Sequence, residues 1–469
     1  MKSNITINIV LLLLVVGLGS SCKKYLDVLP KGQKIPTTLA DFEALVRDEY
    51  TNHRAPVTQS VLLLNDRWES QSNLNYYTLW KPNYMWDESA NRVSLNNADE
   101  STYYTAYAAI STFNLILQYA PSATEATDAD KSTLIAQAKL GRAMHYFILV
   151  NYYADTYEAS NAASKLAVPL IESADINAPF KQVTIQEMYD YIIKNVTEAI
   201  PDLPVKGATI IHGTKGAAYA FLARVYLQMS DYDKALSYAD QALAQNAQLF
   251  DYPAFYTSYK TQIEQAGVYP SLPSPRGYDY IENYIMMHGE VIYSKRDWPL
   301  RVDRAARFET GDAQLASRWK LRTVGADTYY YGITTGRYNE GGITTAEVYL
   351  IKAECLARKN DLAGAMTALN AVRVKRIFPA SYVALTASST QEAIGYIRRS
   401  KENETLFGIV AFGDLRRYNK DPLYARTYTK TENGVTVSLK PASPLYTMPF
   451  PLGAIKNPGN GTIQQNVNQ

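Results

Sequence analysis

Apolar residues recur at helical spacing over much of the chain, and the places where that recurrence fails divide it into parts. Residues 38–48 put Leu39, Phe42, Leu45 and Val46 on one face and predict a short helix. Tyr103, Tyr107, Ile110, Asn114 and Leu117 predict a second over 103–119, and a third covers 131–153. Thr184-Ile185-Gln186-Glu187 has the form of a capping box, in which Thr184 accepts from the Glu187 amide while Glu187 reaches back. Pro201 ends the helix that follows. The last helix starts near Gln391, with Ser389 and Glu392 as another such box.

Two segments share one spacing. Ala223 and Tyr226 are followed by Ala235, Ala239 and Ala242; Ala353 and Leu356 are followed by Ala365, Leu369 and Val372. Small residues at these intervals, with large ones beside them, are the tetratricopeptide pattern of two antiparallel helices in close contact. Asp231-Tyr232-Asp233 and Lys359-Asn360-Asp361 supply the turns. Residues 65–100, rich in Asn, Tyr and Trp, read as irregular. So do 250–343, where Pro270, Pro273, Pro275 and Gly277 break the chain and Gly325, Gly332, Gly336, Gly341 and Gly342 keep it broken. Glu290-Val291-Ile292-Tyr293 predicts a short strand, and the tail beyond Pro441 is expected to be extended. The expected class is mainly α: a tetratricopeptide-like scaffold of helical hairpins with long irregular loops and a few short strands.

The first residues carry a different signal. Lys2 precedes an apolar run from Ile9 to Val16, and the small residues Gly19-Ser20-Ser21 lead to Cys22. The run is too short for a span, which needs roughly 20 apolar residues, and the layout is that of a lipoprotein signal. Gly19 stands where an aliphatic residue is usual, with Leu18 one place back. The competing reading is an ordinary secretory signal with an incidental cysteine. On the first reading 1–21 is the signal, Cys22 takes the lipid, and 22–469 is one body with an N-terminal helical part (22–250) and a C-terminal part (251–469). Cys355, in a helical run, reads as a small core side chain, the alternative being a reactive thiol.

Net charge is +2 and no basic stripe is visible, so a nucleic-acid partner is not expected. The compositional exception is 38 tyrosines, a residue that suits helix packing and carbohydrate contact equally.

Nothing local assembles a catalyst. His53, His145, His212 and His288 lie outside metal-ligand spacing of one another, and no His-Glu-x-x-His, phosphate loop or Gly-x-Ser-x-Gly elbow occurs. His145 sits in an apolar helix and reads as a core histidine. Asp87-Glu88 and Asp99-Glu100 have the residue type glycoside hydrolysis needs, but among 45 acids such pairs arise by chance. Asp128-Ala129-Asp130 begins like a calcium loop, then places Thr133 and Lys139 where glycine and the bidentate acid belong. No enzyme activity, cofactor or metal is expected.

Binding is the remaining chemistry. A sugar offers flat C–H faces and hydroxyls, so its site needs ring platforms with a few amide or charged partners. The densest such cluster is Arg67, Trp68, Asn73, Asn75, Tyr76, Tyr77, Trp80, Asn83, Tyr84 and Trp86. Trp298 and Trp319 lie in the other irregular region. These residues are candidates for ligand contact; the opposing reading is that the tryptophans plug loops onto the helices or touch a partner.

Dispersed motifs give the chain a resemblance. Cys22-Lys23-Lys24-Tyr25-Leu26-Asp27 with Pro30 opens it. Arg142-Ala143, Tyr146-Phe147, Leu149, Tyr152-Tyr153 and Val168-Pro169-Leu170 follow. Next come Gly213-Thr214-Lys215-Gly216-Ala217-Ala218 and Leu222-Ala223-Arg224-Val225-Tyr226-Leu227. Ala346-Glu347-Val348-Tyr349-Leu350, Ala353-Glu354, Leu369-Asn370 with Arg373, and Asp414-Leu415-Arg416-Arg417 come later, and Asn457-Pro458 and Gln465-Asn466 close the series. In number and order these resemble the SusD/RagB outer-membrane glycan-binding lipoproteins from Cys22 to the C-terminus. Gly408, Ile409, Ala411, Thr344 and Ala454 depart from the family pattern, which bears on local ion pairs rather than on the fold.

The resemblance implies a SusD-like fold at the outer membrane, lipid-anchored and facing outside. It also implies an oligosaccharide ligand and a SusC-like TonB-dependent barrel transporter as partner. The alternative is a transporter lid that recognises peptides or other breakdown products and has no sugar site.

Overall fold

Side chains that satisfy free amides set where the helices begin. The structure, a computed structural model, describes residues 36–64, 66–76, 78–96, 101–289, 295–432 and 434–467. The expected signal 1–21, Cys22, Tyr77, Asp99-Glu100 and the strand expected at 290–293 lie outside them.

Helix α1 (Leu39–Val46) is capped by Thr38 in a capping box with Asp41. Helices α2 (Ser101–Tyr119) and α3 (Asp128–Tyr153) follow. The acidic run at 128–132 is the first turn of α3, and the Asp130 carboxylate is taken by the Thr127 amide at 2.9 Å. Thr184 and Glu187 form the box expected of them at the head of α4 (Ile185–Ala199), which passes into a 3₁₀ turn at Ile200–Asp202. Where α2 crosses α3, a Cβ on Gly141 would come within 2.3 Å of the Phe113 ring, so only glycine admits the approach.

Helices α5 (Lys215–Gln228) and α6 (Tyr232–Gln245) form one expected hairpin. Helix α7 (Tyr252–Glu264) comes next, and α8 (Thr345–Arg358) with α9 (Leu362–Arg373) forms the second hairpin. Their turns are built alike. Ser230 (φ 60°) and Asn360 (φ 65°) both adopt the left-handed region. The next residues, Asp231 and Asp361, each donate an amide back at 2.9 Å, to the carbonyls of Tyr226 and Leu356. Both aspartates then cap the following helix through their carboxylates. Ala235, Ala239, Ala242, Ala353, Ala365, Leu369 and Val372 are buried where the helices meet, and α6 packs on α8 so that the hairpins stack.

The structure corrects several expectations. Residues 65–100 contain three short helices, Gln71–Tyr76, Trp80–Met85 and Arg92–Leu95, too brief to show a period. Helix α7 occupies a region expected to be irregular; Asp251 caps it and Pro253 falls in its first turn, where no amide is needed. After α10 (Thr390–Glu404), capped by Ser389, a further helix α11 (Ile409–Asn419) follows. The tail holds a 3₁₀ turn at Pro444–Tyr446, a helix at Leu452–Lys456 and a strand at Gly461–Thr462. That strand pairs in parallel with β2 (Phe180–Thr184), which is itself antiparallel to β1 (Leu166–Leu170). Two hairpins complete the labelled strands: β3 (Trp319–Val324) with β4 (Asp327–Gly332), and β5 (Tyr428–Glu432) with β6 (Val435–Leu439).

Buried ion pairs tie the hairpins together. Arg224 of α5 meets Glu347 of α8 at 2.7 Å, and Arg417 joins Glu354 to Asp414, which Lys401 also reaches at 2.8 Å. Thr344, one of the departures noted above, caps α8 by accepting from the Glu347 amide. Cys355 is fully buried in α8.

Candidate ligand-binding face

Single-residue bridges build a four-row ladder from segments far apart in the chain. Arg67 pairs antiparallel with Leu300, Leu300 with Tyr330 of β4, and Tyr330 with Leu321 of β3. The Trp68 amide donates to the Pro299 carbonyl at 2.8 Å, and Leu300 and Tyr330 exchange bonds of 2.9 Å. Successive side chains along an extended strand face opposite ways, so Arg67 and Trp68 part company here.

Arg67 turns inward. Its guanidinium lies 5.1 Å from the Trp80 ring centre and 4.7 Å from that of Trp298, and pairs with Glu69 at 2.5 Å. Trp298 and Trp319 are 7% and 3% exposed, and both pack on Phe407. The Trp319 indole N–H donates to the Trp298 carbonyl at 2.9 Å.

Trp68, half-buried, turns to the opposite side and stacks on the half-buried Tyr329, with ring centres 4.1 Å apart and planes 9° from parallel. Tyr329 lies across from Arg322, and Tyr331 across from Lys320, on the same face of the hairpin. The Arg322 guanidinium sits 4.9 Å from the ring centres of both Tyr331 and Tyr269. Lys320 donates to the carbonyls of Ile263, Gln265 and Val268 at 2.9, 2.6 and 3.0 Å, closing the end of α7.

The other candidates divide. Asn73 and Asn75 are exposed; the Asn73 amide donates to Glu69 at 2.5 Å, and Asn75 accepts from Lys81 at 3.3 Å. Tyr76 is 78% exposed and Trp80 half-buried. Asn83, Tyr84 and Trp86 are buried beneath this layer. Asn83 donates to Gln59 at 2.7 Å, the Tyr84 hydroxyl accepts from Arg301 at 2.6 Å, and the Trp86 indole donates to the Leu63 carbonyl at 2.7 Å. An indole has a large apolar surface and one donor, so a single carbonyl satisfies it in a core. Lys430 of β5 lies under the same layer, 3.8 Å from the Tyr84 ring centre; burial pushes its ammonium down to about 7. Tyr77 lies outside the described residues.

Tyr329, Tyr331, Tyr269 and Arg322 were not among the candidates. The signal that could have found them is the alternation Trp319-Lys320-Leu321-Arg322 leading to Gly325, whose φ of 60° makes a two-residue turn.

All four histidines are buried. His53 and His145 each bond a backbone carbonyl, of Val46 and Asn52, and burial lowers both rings to about 4. Among the described residues no group of three His, Cys, Asp or Glu side chains is placed to hold a metal ion. No helix of the described residues is long and apolar enough to cross a membrane. A separate cleft of about 740 Å³ presents the amides of Gln182, Gln464, Gln465 and Asn466 and the Asp155–Lys165 ion pair rather than open ring faces.

Residues 24–227 match the family described as "Starch-binding associating with outer membrane", and residues 319–468 match that described as "SusD family". Among curated proteins none matches the chain. Solved structures do. A SusD superfamily protein from Bacteroides thetaiotaomicron is 18% identical over 92% of this chain and 100% of its own, with a TM-score of 0.67. A SusD-like carbohydrate binding protein from Bacteroides vulgatus is also 18% identical, over 92% and 100%, at 0.65. Surface glycan-binding protein A from Bacteroides uniformis is 17% identical over 92% and 99%, at 0.64. At these identities the likeness is one of fold.

Proposed function

From the premise that this chain belongs to the SusD/RagB family, we propose that it captures oligosaccharide at the cell surface and delivers it to a SusC-like TonB-dependent transporter. The half-buried Trp68–Tyr329 stack carries this reading. The two parallel rings hold each other in place, and the neighbouring Arg67 fixes the same segment to Trp80 and Trp298, so the ring faces and edges left open make a rigid apolar platform of the kind a pyranose ring covers. Exposed Asn73, Asn75 and Tyr76 supply hydroxyl partners nearby in the chain. The lipoprotein signal read at 1–21 supports anchoring through Cys22 on the outer face of the outer membrane. The protein binds its sugar and leaves cleavage to others.

Titrating the detergent-solubilised protein calorimetrically against an oligosaccharide panel tests the reading. At least one class should bind, and Trp68→Ala or Tyr329→Ala should weaken it by about 5- to 150-fold, as expected for ~1–3 kcal/mol of lost ring contact. A barrel transporter should co-purify from the membrane fraction. Binding of peptides with no sugar bound, or sugar binding indifferent to both substitutions, overturns it.

A further inference from the structure

Most buried or half-buried arginines of this protein are neutralised by a carboxylate. Arg304 has Asp66, Arg318 has Asp297, Arg373 has Glu309, and Arg376 lies between Glu282 and Glu404. Arg92, Arg142, Arg276 and Arg416 meet carbonyl or amide oxygens instead, and Arg322, like Arg307 on the Tyr428 ring, has neither. Among the described residues its guanidinium has no hydrogen-bond or ion-pair partner; its contacts are the rings of Tyr269 and Tyr331. Aromatic contact holds a guanidinium by its flat face. It leaves the five N–H donors, arranged as a fork that fits two oxygens of one anion, uncommitted at the edge.

A second guanidinium converges on the same ring. Arg296 lies 5.1 Å from the Tyr331 ring centre and donates to the carbonyls of Pro270 and Gly332 at 2.8 and 3.3 Å, with no carboxylate. Lys320, across the hairpin from Tyr331 and 5.8 Å from the Tyr269 ring centre, likewise bonds carbonyls and no carboxylate. Three cations therefore surround one pair of tyrosines without a compensating acid. Asp327, the acid on this face, sits opposite Val324 at the tip of the hairpin and makes no ion pair. The chain as a whole carries only +2, so the local excess does not follow from its composition. Like charges gathered this way repel one another, and an anion between them relieves that repulsion.

The position matters as much as the charge. Arg322 is the cross-strand neighbour of Tyr329, at the usual separation of about 5 Å, and Tyr329 is one half of the Trp68 platform. A sugar ring stacked on that platform would present its own or its neighbour's substituents to the guanidinium edge. We propose that the oligosaccharide taken by this face is acidic, and that Arg322 engages its carboxylate or sulfate group. The proposal rests on the glycan-binding reading above and names the ligand class for the same face.

Calorimetric titration of the detergent-solubilised protein with tetragalacturonate, a sulfated chondroitin hexasaccharide and neutral maltohexaose and galactotetraose tests it. At least one acidic ligand should bind about tenfold or more tightly than the neutral ones, and more weakly as salt rises. Arg322→Gln should reduce that binding by roughly tenfold or more, the loss expected for charge-assisted hydrogen bonds, while a small drop in melting temperature from its two lost ring contacts leaves the protein fully folded at the titration temperature. The uronate and sulfate arms tell which anion is read. Binding of neutral ligands alone, or acidic binding that survives Arg322→Gln, overturns the inference while leaving the glycan reading intact. If no oligosaccharide of either kind binds the wild-type protein, both fall together.

Discussion

Trp80 and Trp298 share one cation: the Arg67 guanidinium lies 5.1 Å from the first ring centre and 4.7 Å from the second. That contact fastens the loop carrying Trp68 to the buried row carrying Trp298. Arg67→Ala should remove about 1–2 kcal/mol of stability, the range for partly desolvated cation–π contacts, and weaken sugar binding in step because Trp68 loses its brace. Thermal melts and calorimetry on the same sample check both. Weakened binding without any loss of stability would mean that Arg67 touches the ligand itself.

Position within the ladder separates stability from recognition. Trp319→Ala or Trp298→Ala should destabilise by ~3–5 kcal/mol, as other buried aromatic truncations do, while the folded fraction still binds. Trp68→Ala should do the reverse. Denaturant titration beside a binding isotherm distinguishes the two.

Acid should unfold the protein in a window set by its histidines. His53 and His145 are held near 4 by burial, below the usual value of 6.5, so the unfolded chain binds more protons between those limits. Their contribution is complete above pH 6.5 and is lost as pH falls from there towards 4. The Glu354 carboxyl, lowered to about 2 by its neighbours Arg417, Lys401 and Arg358 against the cost of burial, adds a second loss below about 4.5. His145→Gln should flatten the upper part of the stability–pH curve and leave the part below 4 unchanged, measured by urea midpoints at stepped pH.

Burial pushes the Cys355 thiol up to about 12. A thiol reagent at pH 8 should leave it unlabelled in the native protein and label it fully in denaturant, read as absorbance at matched concentration. Rapid native labelling would show that α8 opens locally.

Cys22→Ala should move the protein from the membrane fraction to the soluble one, followed by blotting of fractionated cells. The expectation comes from the sequence pattern, with an acyl contribution of ~0.8 kcal/mol per buried methylene.

What was legible in the sequence was what is local. Capping residues declare themselves within four positions, and Thr184–Glu187 and Ser389 begin helices where their pattern placed them. The hairpins were readable because their small residues recur at one interval, and Ser230 and Asn360 take the same conformation at the same step. The ladder was not readable. Arg67, Leu300, Tyr330 and Leu321 meet through long-range pairing, two of the three contacts being isolated bridges, and one residue has no period. For the same reason the clustered tryptophans could not be sorted from sequence: whether an indole faces in or out depends on which side of an extended strand it falls. Helix α7 was hidden by its tyrosines and Pro253, which suit a loop equally well until Asp251 is seen to cap it.

The alternation of the ladder has a consequence for how this protein can change over generations. The buried Trp298 and Trp319, whose truncation is costly, occupy one side, and the half-buried Trp68, Tyr329 and Arg322 the other. A substitution on the outer side loses ring contacts at a half-buried position rather than a place in the core, and so costs less than one in the inner row. Selection can therefore rewrite the outer chemistry one codon at a time, at modest cost in stability, and adapt a single inherited scaffold to different ligands.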